Sequence, residues 1–484
     1  MKLRLTIAAG CCTLATGCAV GPDFHQPAPP RQDSYAPDTP TALPAPDGAA
    51  GGTQRFSAAL PASAWWQAFG SPEMDGLVDR ALAANTDLAA MRAALKEARE
   101  LWRAQRGVLF PTIDLGASTS RAKGSQYLAP VPNDSTFTYS LQTAQVNVGY
   151  TLDLFGGNRR SVEQARAQYD AQRFQAEAAR TTLINTVVVT AIQMAALHEE
   201  VEAQRQVIAL QAELLALTRH QLAVGDAAGL DVVAQQAQLA QAQAALPALE
   251  HAWAQSRDLL AYLIGQTAAD GPLEAPKLDA IRLPHDPPLT LPSQWVRQRP
   301  DIRAAEANLH AASAGVGIAA ANRLPQLTLS ASAGGNGQGW SSLLSAANSF
   351  WSLGAGITQP IFAGGTLLHR QRAARAAFEQ ADAQYRSTVL AAFQNVADTL
   401  AALQADAAAA TAAAAARTAA KETWQITARQ VGDGAIAPSA QLQARIAVLQ
   451  ADQAMTQARL ARLTDTAALF QALGGGAVAG KTSP

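Results

Sequence analysis

Cysteine is nearly absent from this chain of 484 residues. It has three, Cys11, Cys12 and Cys18, all at the extreme N-terminus. That excludes a disulfide framework and a cysteine metal site in the body of the protein. Net charge is lacking too. The 37 Lys and Arg nearly cancel the 38 Asp and Glu, leaving −1, so no basic field invites nucleic acid. Aromatics make up 6% of the chain. The seven His are scattered, and none pairs at the helical spacing of a metal site, so no metal ligands are assigned. No nucleophile–base constellation appears. No catalytic residue and no bound cofactor is expected, and an enzyme is the least supported class. Gly335-Asn-Gly-Gln-Gly339 has the look of a phosphate loop, but it lacks the Lys-Ser/Thr and opens no helix.

The most informative absence is local. Residues 158–224 contain neither Gly nor Pro, and neither do residues 366–431. Inside a helix those residues cost about 1–3 kcal/mol, so two such runs predict two very long helices. At about 1.5 Å per residue each reaches on the order of 100 Å, roughly three times a bilayer core.

The N-terminus reads as an export signal. Lys2 and Arg4 precede an apolar stretch from Leu5 to Leu14, too short to span a bilayer as a helix. Ala15-Thr16-Gly17-Cys18 resembles a bacterial lipoprotein cleavage site, with Ala15 where Leu is usual. Cys18 is therefore the expected lipidated N-terminus; a secreted chain with an unmodified Cys is the competing reading. Loss of Lys2 and Arg4 moves the formal charge from −1 to −3. Residues 21–46 are crowded with proline and should run extended, as a tether from the membrane. Trp65-Trp66 should seat the first helix, expected from Ser71 to about Arg106.

After Pro111 the period changes from helical to alternating. Ile113, Leu115 and Ala117 alternate with polar or small residues, and so do Val146, Val148, Tyr150, Leu152 and Leu154. Two-faced strands of about ten residues have the length and pattern of transmembrane β-strands, although a soluble sheet could look the same. The first long helix follows and ends at Val224-Gly225-Asp226; its apolar stripe includes Leu183, Val187, Leu197, Val201, Ile208, Leu215 and Leu222. A return helix runs from Leu230 to about Ile264, interrupted only by Pro247. Residues 269–292 hold six prolines and read as a linker. Then the pattern repeats at an offset of about 207–214 residues: a helix from Ser293 to about Asn322, two alternating segments joined by a Gly/Asn/Ser loop from Gly334 to Ser345, a long helix to Val431-Gly432-Asp433 and a return helix to Leu473.

Within hydrocarbon every backbone polar group must be paired, so a sheet there must close, and the smallest natural barrels have about eight strands. Four candidate strands per chain fall short. The long helices must also bury their stripes along their whole length. A cyclic homo-oligomer satisfies both, as a β-barrel continued by a hollow helical barrel.

The chain resembles the TolC-like outer membrane factors, in the lipoprotein branch of OprM/NodT type that serves multidrug efflux pumps. The residues that carry the resemblance are Cys18-Ala-Val-Gly-Pro-Asp23, Trp65-Trp66, Arg299-Pro-Asp-Ile-Arg-Ala-Ala-Glu306 and Leu324-Pro325. With them go Gln359-Pro-Ile-Phe-Ala-Gly-Gly365, Ala392-Phe-Gln-Asn-Val-Ala-Asp-Thr-Leu400 and Ala472-Leu-Gly-Gly-Gly476. The resemblance implies a mainly α chain with a transmembrane β-barrel. It implies a homotrimer whose α-barrel is continuous with a twelve-stranded barrel in the outer membrane. It also implies a lipid on Cys18, contact with outer membrane lipids, a periplasmic adaptor, and an inner-membrane transporter of the resistance-nodulation-division type. Ala19 is similar to the outer-membrane sorting pattern. Two departures are Gly-Gln-Thr-Ala after Ile264, where the family often has Pro, and Gln441, where Asp is common.

The expected division is 1–17 export signal, 18–64 anchor and proline-rich segment, 65–268 first repeat, 269–292 linker, 293–473 second repeat and 474–484 tail. The expected function is a passive exit duct for drugs and toxic small molecules, from the periplasm to the exterior. Alternatives are an exit duct for secreted proteins or peptides, a structural surface coiled coil, or a periplasmic adaptor. The turn-back tips are the candidate gate, with Gly225, Asp226 and Asp231 at one and Gly432, Asp433 and Gly434 at the other. Symmetry would make each Asp a ring of like charge; Asp is also simply a good turn residue, and Asp231 is placed to cap the return helix.

Overall fold

The structure is a computed structural model. It describes residues 19–28, 34–37, 40–48, 51–59, 61–123, 138–271, 273, 276–289, 298–343 and 345–476. In chain order the elements open with β1 (Ala42–Leu43), β2 (Gln54–Arg55), α1 (Pro72–Ala84) and α2 (Thr86–Arg106). There follow β3 (Thr112–Lys123), β4 (Thr138–Leu152), α3 (Gly157–Ala223) and α4 (Gly229–Leu263). The chain closes with α5 (Pro300–Ala321), β5 (Gln326–Gly337), β6 (Ser349–Thr358), α6 (Thr366–Gly432) and α7 (Pro438–Ala472). They fall into two compact units: Met1–Pro27, Leu95–Gln172 and Ala305–Tyr385; and Ala28–Ala94, Arg173–Ala304 and Arg386–Pro484.

The first unit holds a four-stranded antiparallel sheet in the order β3-β4-β5-β6. Strand β5 runs on to Gly337, so the expected loop from Gly334 starts later. Glycine is what allows this: a Cβ at Gly334 would strike the backbone of Ala144 and Gln145, and one at Gly335 the carbonyl of Leu343.

The second unit carries the main core. Trp65, Trp66 and Phe69 form a short 3-10 turn, and Trp65 stacks on Phe470 of α7 at 5.1 Å. Met74, Leu77, Val78 and Ala81 of α1 and Ile184, Val187, Val188 and Ile192 of α3 join them. Each of these Met, Leu, Val and Ile side chains contributes about 1.5–3 kcal/mol on burial. The long-helix stripe is buried at Leu183, Val187, Val201 and Leu215, half-buried at Leu197 and Ile208, and exposed at Leu222. Residues 276–289 of the proline-rich stretch pack against the core. Leu278 and Ile281 are buried, Arg282 N–H donates to Phe69 O (2.8 Å), and Arg55 N–H donates to His285 O (2.7 Å).

Two expected helices differ. The one expected from Ser71 to Arg106 is two. Asn85 adopts an extended conformation, its Oδ1 accepts from Leu88 N–H (2.9 Å) and its Nδ2 donates to Leu263 O (3.0 Å). A buried side chain that can cap a new helix competes with the backbone bond that would continue the old one. Pro247, in contrast, does not interrupt α4. It is exposed, as is Gln243 four residues earlier, so solvent reaches the carbonyl left unpaired.

The repeat is tighter than the sequence suggests. α3 and α6 each have 67 residues, α4 and α7 each have 35, and all start and end at an offset of 209.

Candidate functional site

The sheet has two chemically distinct faces. The register aligns Leu115 with Val146, Val146 with Ala333 and Ala333 with Trp351. It likewise aligns Ile113 with Val148, Val148 with Ala331 and Ala331 with Leu353. Because side chains alternate, these apolar residues share one face. That face is uncovered: Leu115 is 80% exposed, Trp351 75% and Leu353 76%. The opposite face carries Asp114, Asn147, Ser332 and Ser352, with Gln145 Nε2 bonded to Asn147 Oδ1 (2.8 Å) and Ser332 Oγ to Ser352 Oγ (2.8 Å). Among the described residues β3 pairs only with β4, and β6 only with β5. Two edges therefore offer unpaired N–H and C=O groups. An uncovered apolar face on an open-edged sheet is unstable in water, and the cure is lipid on the face and other strands on the edges.

The tips belong to the second unit. At the first, Gly225 takes φ +87°, its N–H donates to Leu222 O (3.1 Å) and Asp226 N–H reaches back to Gln221 O (2.8 Å). At the second, Gly434 takes φ +71°, its N–H donates to Val431 O (3.0 Å) and Ala435 N–H reaches Gln430 O (2.8 Å). Both are Schellman closures. The turning glycines are thus Gly225 and Gly434, and the expected pairing of Gly225-Asp226 with Gly432-Asp433 is two residues out. Gly432 is the last residue of α6, and Asp433 still donates its N–H to Arg429 O (2.9 Å). Asp231 accepts from Ala228 N–H (2.9 Å), which caps α4. Its counterpart at the offset of 209 is Ala440, and that of Asp226 is Ala435, so the two tips carry their carboxylates at different places. Asp226, Asp231 and Asp433 are all exposed, and so are Leu222, Val224, Leu230 and Val233 around the first tip.

Cys18 lies outside the described residues, but its neighbours do not. Ala19 sits against Gly156, where β4 gives way to α3, and a Cβ on Gly156 would come within 2.6 Å of the Ala19 methyl. Val20 N–H donates to Phe155 O (3.0 Å). The next residues form a latch that the sequence did not reveal. Asp23 binds the Arg160 guanidinium (2.6 Å), Glu163 binds the same guanidinium (2.7 Å), and His310 Nε2 meets Glu163 (2.8 Å). Phe24 stacks on His310 at 4.3 Å, and Gln26 Nε2 donates to Glu306 (3.1 Å). Arg160 holds the Asp23 carboxyl below its usual range, chiefly by its hydrogen bond. Within the stretch expected to run extended as a tether, Asp23, Phe24 and Gln26 are thus held against α3 and α5.

A second buried network joins distant segments of the second unit. Arg462, 1% exposed, donates to Gly52 O (3.1 Å) and Gln54 Oε1 (3.0 Å). Gln54 Nε2 in turn donates to Pro284 O (3.0 Å) and Thr466 Oγ1 (3.1 Å). Beside Arg462, Asp406 of α6 faces Asp465 of α7. Burial, then the neighbouring carboxylate, push the Asp406 carboxyl up to about 7, and burial raises Asp465 as well. Among the described residues no group of three or more His, Cys, Asp or Glu could hold a metal ion.

The chain is similar to known proteins along nearly its whole length. A family profile described as "Outer membrane efflux protein" matches residues 77–266 and 291–475. The pyoverdine export outer membrane protein OpmQ of Pseudomonas putida is 30% identical over 423 residues, covering 86% of this chain and 89% of that protein. The toluene efflux pump outer membrane protein TtgI of Pseudomonas putida is 29% identical over 465 residues, covering 95% of this chain and 96% of its own. The solved outer-membrane channel OprN matches with a TM-score of 0.81 at 28% identity, over 95% of this chain and 99% of that structure.

Proposed function

Because the chain belongs to the outer membrane efflux protein family, we propose that it is the outer membrane channel of a multi-part efflux system. One observation carries this reading: a four-stranded sheet with an uncovered apolar face and two open edges. Three copies would pool twelve strands, enough to close a barrel with its apolar face to lipid and its Ser, Asn and Gln face to water. The long helices would wall the duct in the periplasm. Such a pore hydrolyses nothing and binds no nucleotide; energy and most selectivity come from an inner-membrane transporter of the resistance-nodulation-division type, joined through a periplasmic adaptor. The cargo is small molecules. OpmQ is named for pyoverdine and TtgI for toluene, which supports that class without naming one compound. An exit duct for proteins or peptides is the other outcome.

Cys18 is the lipid-bearing residue in this proposal. Ala19 lies at the strand-to-helix junction, where an acyl chain on Cys18 would enter the same membrane as the sheet. In a threefold assembly Asp226 and Asp433 would each form a ring of charge at the gate. Deletion of the gene followed by a sensitivity screen across toxic compounds tests the function, with hypersensitivity expected and an unchanged profile for every compound opposing it. Radiolabelled palmitate should enter the wild-type protein and not Cys18→Ala; equal labelling rejects the anchor.

A further inference from the structure

A cavity of about 720 Å³ lies where the sheet meets the helices of the first unit. From β3 and β5 only polar-face positions line it: Thr112, Gln326 and Thr328. Ile318 and Asn322, at the end of α5, line it too. The same two residues line a second groove, of about 320 Å³, that runs on between α5 and α6. Gly315 and Ala319 of α5 form one wall of it, and Leu367 and Ala374 of α6 form the other. Arg370 is the only charged residue lining it among the described residues. That side chain is exposed, and among the described residues no carboxylate pairs with it.

The groove thus continues the polar face of the sheet. The N-terminal segment agrees: Val20 and Gly21 lie on Gly317, and Gly315 and Ala319 stand about 200° round α5 from that residue. The groove faces away from the segment that follows Cys18, and in a three-copy assembly that side is the interior of the duct. The repeat does not copy its charge. At the offset of 209, Ser161 of α3 stands in the place of Arg370 and Asn158 in that of Leu367, and both line the larger cavity. Each copy therefore brings one arginine to this level of the wall. The geometry points to a contact site for cargo. An amphipathic organic anion in transit rests its apolar body on Leu367, Ile318 and Ala374, and its anionic group accepts from the Arg370 guanidinium. The volume is at the low end of small-ligand pockets, roughly 300–1,000 Å³. Between visits the ring of guanidiniums biases the current of small ions toward anions. This site rests on reading the chain as an efflux duct.

The test records single pores of the full-length, lipidated assembly in planar bilayers. The probe is sodium 2-naphthalenesulfonate, and uncharged 2-naphthol is its control. The sulfonate should interrupt the wild-type current in discrete events. Naphthol should need a roughly ten-fold higher concentration for the same interruption, the weight of one charge-assisted hydrogen bond. Arg370→Gln should raise the half-blocking sulfonate concentration by about the same factor. It should also lower the chloride-to-potassium permeability ratio, read from the reversal potential in dilute salt, where charge is least screened. Arg372→Gln, about 200° round α6 from Arg370, should change neither. Gly315→Leu should fill the groove, weakening sulfonate block and leaving the permeability ratio as it is. Its Cβ would meet only Gln164 Nε2 at 3.2 Å, the far end of a flexible side chain, so folding is preserved. Conducting Arg370→Gln pores with the wild-type block and ratio overturn the site and leave the channel standing. Sulfonate and naphthol blocking alike also overturn it, as does an equal loss in Arg372→Gln. A wild-type preparation that passes no current removes the duct reading, and the site with it.

Discussion

Replacing Arg462 with Met takes the charged centre out of the network that holds three distant segments together. Arg462 is 1% exposed, and its guanidinium serves Gly52 O and Gln54 Oε1, both inside the second unit. Gln54 itself is fully buried, so no water replaces the lost donor. Two buried acceptors left without it cost about 1–3 kcal/mol each, and the apolar Met recovers part of that, for a net loss of roughly 2–5 kcal/mol. The loss should be local before it is global, because Gln54 bonds Pro284 O next to the backbone bonds that hold residues 55–57 to residues 285–289. The assay is hydrogen exchange at the Arg55 and Ser57 amides, which donate to His285 O (2.7 Å) and Pro287 O (3.0 Å). A loss of about 2 kcal/mol speeds their exchange roughly thirty-fold. Gln54→Leu with Arg462→Met should lose less than the two single changes summed, since each alone strands the other's polar atoms. Exchange at both amides within about two-fold of wild type, a change near the noise of such energies, would refute the reasoning.

Three further outcomes follow from the same geometry. The Asp406 carboxyl is raised to about 7 by burial and by Asp465, so the folded protein holds its proton more tightly than the unfolded chain. Stability from α6–α7 packing should therefore be greatest at low pH and decline as pH rises from about 4 to about 7; thermal melts of Asp465→Asn should show a flatter profile there, and an unchanged slope rejects the shared proton. Gly434→Val should destabilise the second tip by about 1–2 kcal/mol, because its φ is +71°, whereas Gly432→Ala should be neutral or stabilising by up to about 1 kcal/mol; protease nicking at the tip reads both, and the reverse order refutes the tip register. Trp65→Ala removes a ring stacked at 5.1 Å on Phe470 and should cost about 3–5 kcal/mol, read as a fall in denaturant midpoint.

The long helices were legible because their signal is local: no Gly or Pro across either run. The strands were legible for a similar reason, since alternation at Ile113, Leu115, Trp351 and Leu353 survives without knowledge of partners. The break at Asn85 was not, because its side chain is held by Leu263 O, far along the chain. The Gln54–Arg462 network joins residues separated by 408 positions, and no periodicity encodes such a pairing. The latch of Asp23 on Arg160 is hidden in a proline-rich stretch whose composition speaks only for an extended backbone. At the tips the repeated Val-Gly-Asp string misled. The αL glycine is chosen by where the helix runs out, and α6 runs two residues beyond the point that string marks.

The most direct measurement is the copy number and conductance of the protein extracted from membranes, by native mass spectrometry and planar-bilayer recording on one sample. A three-copy particle that opens steady pores is the result the proposal predicts. A monomer that stays in water without detergent and passes no current contradicts it.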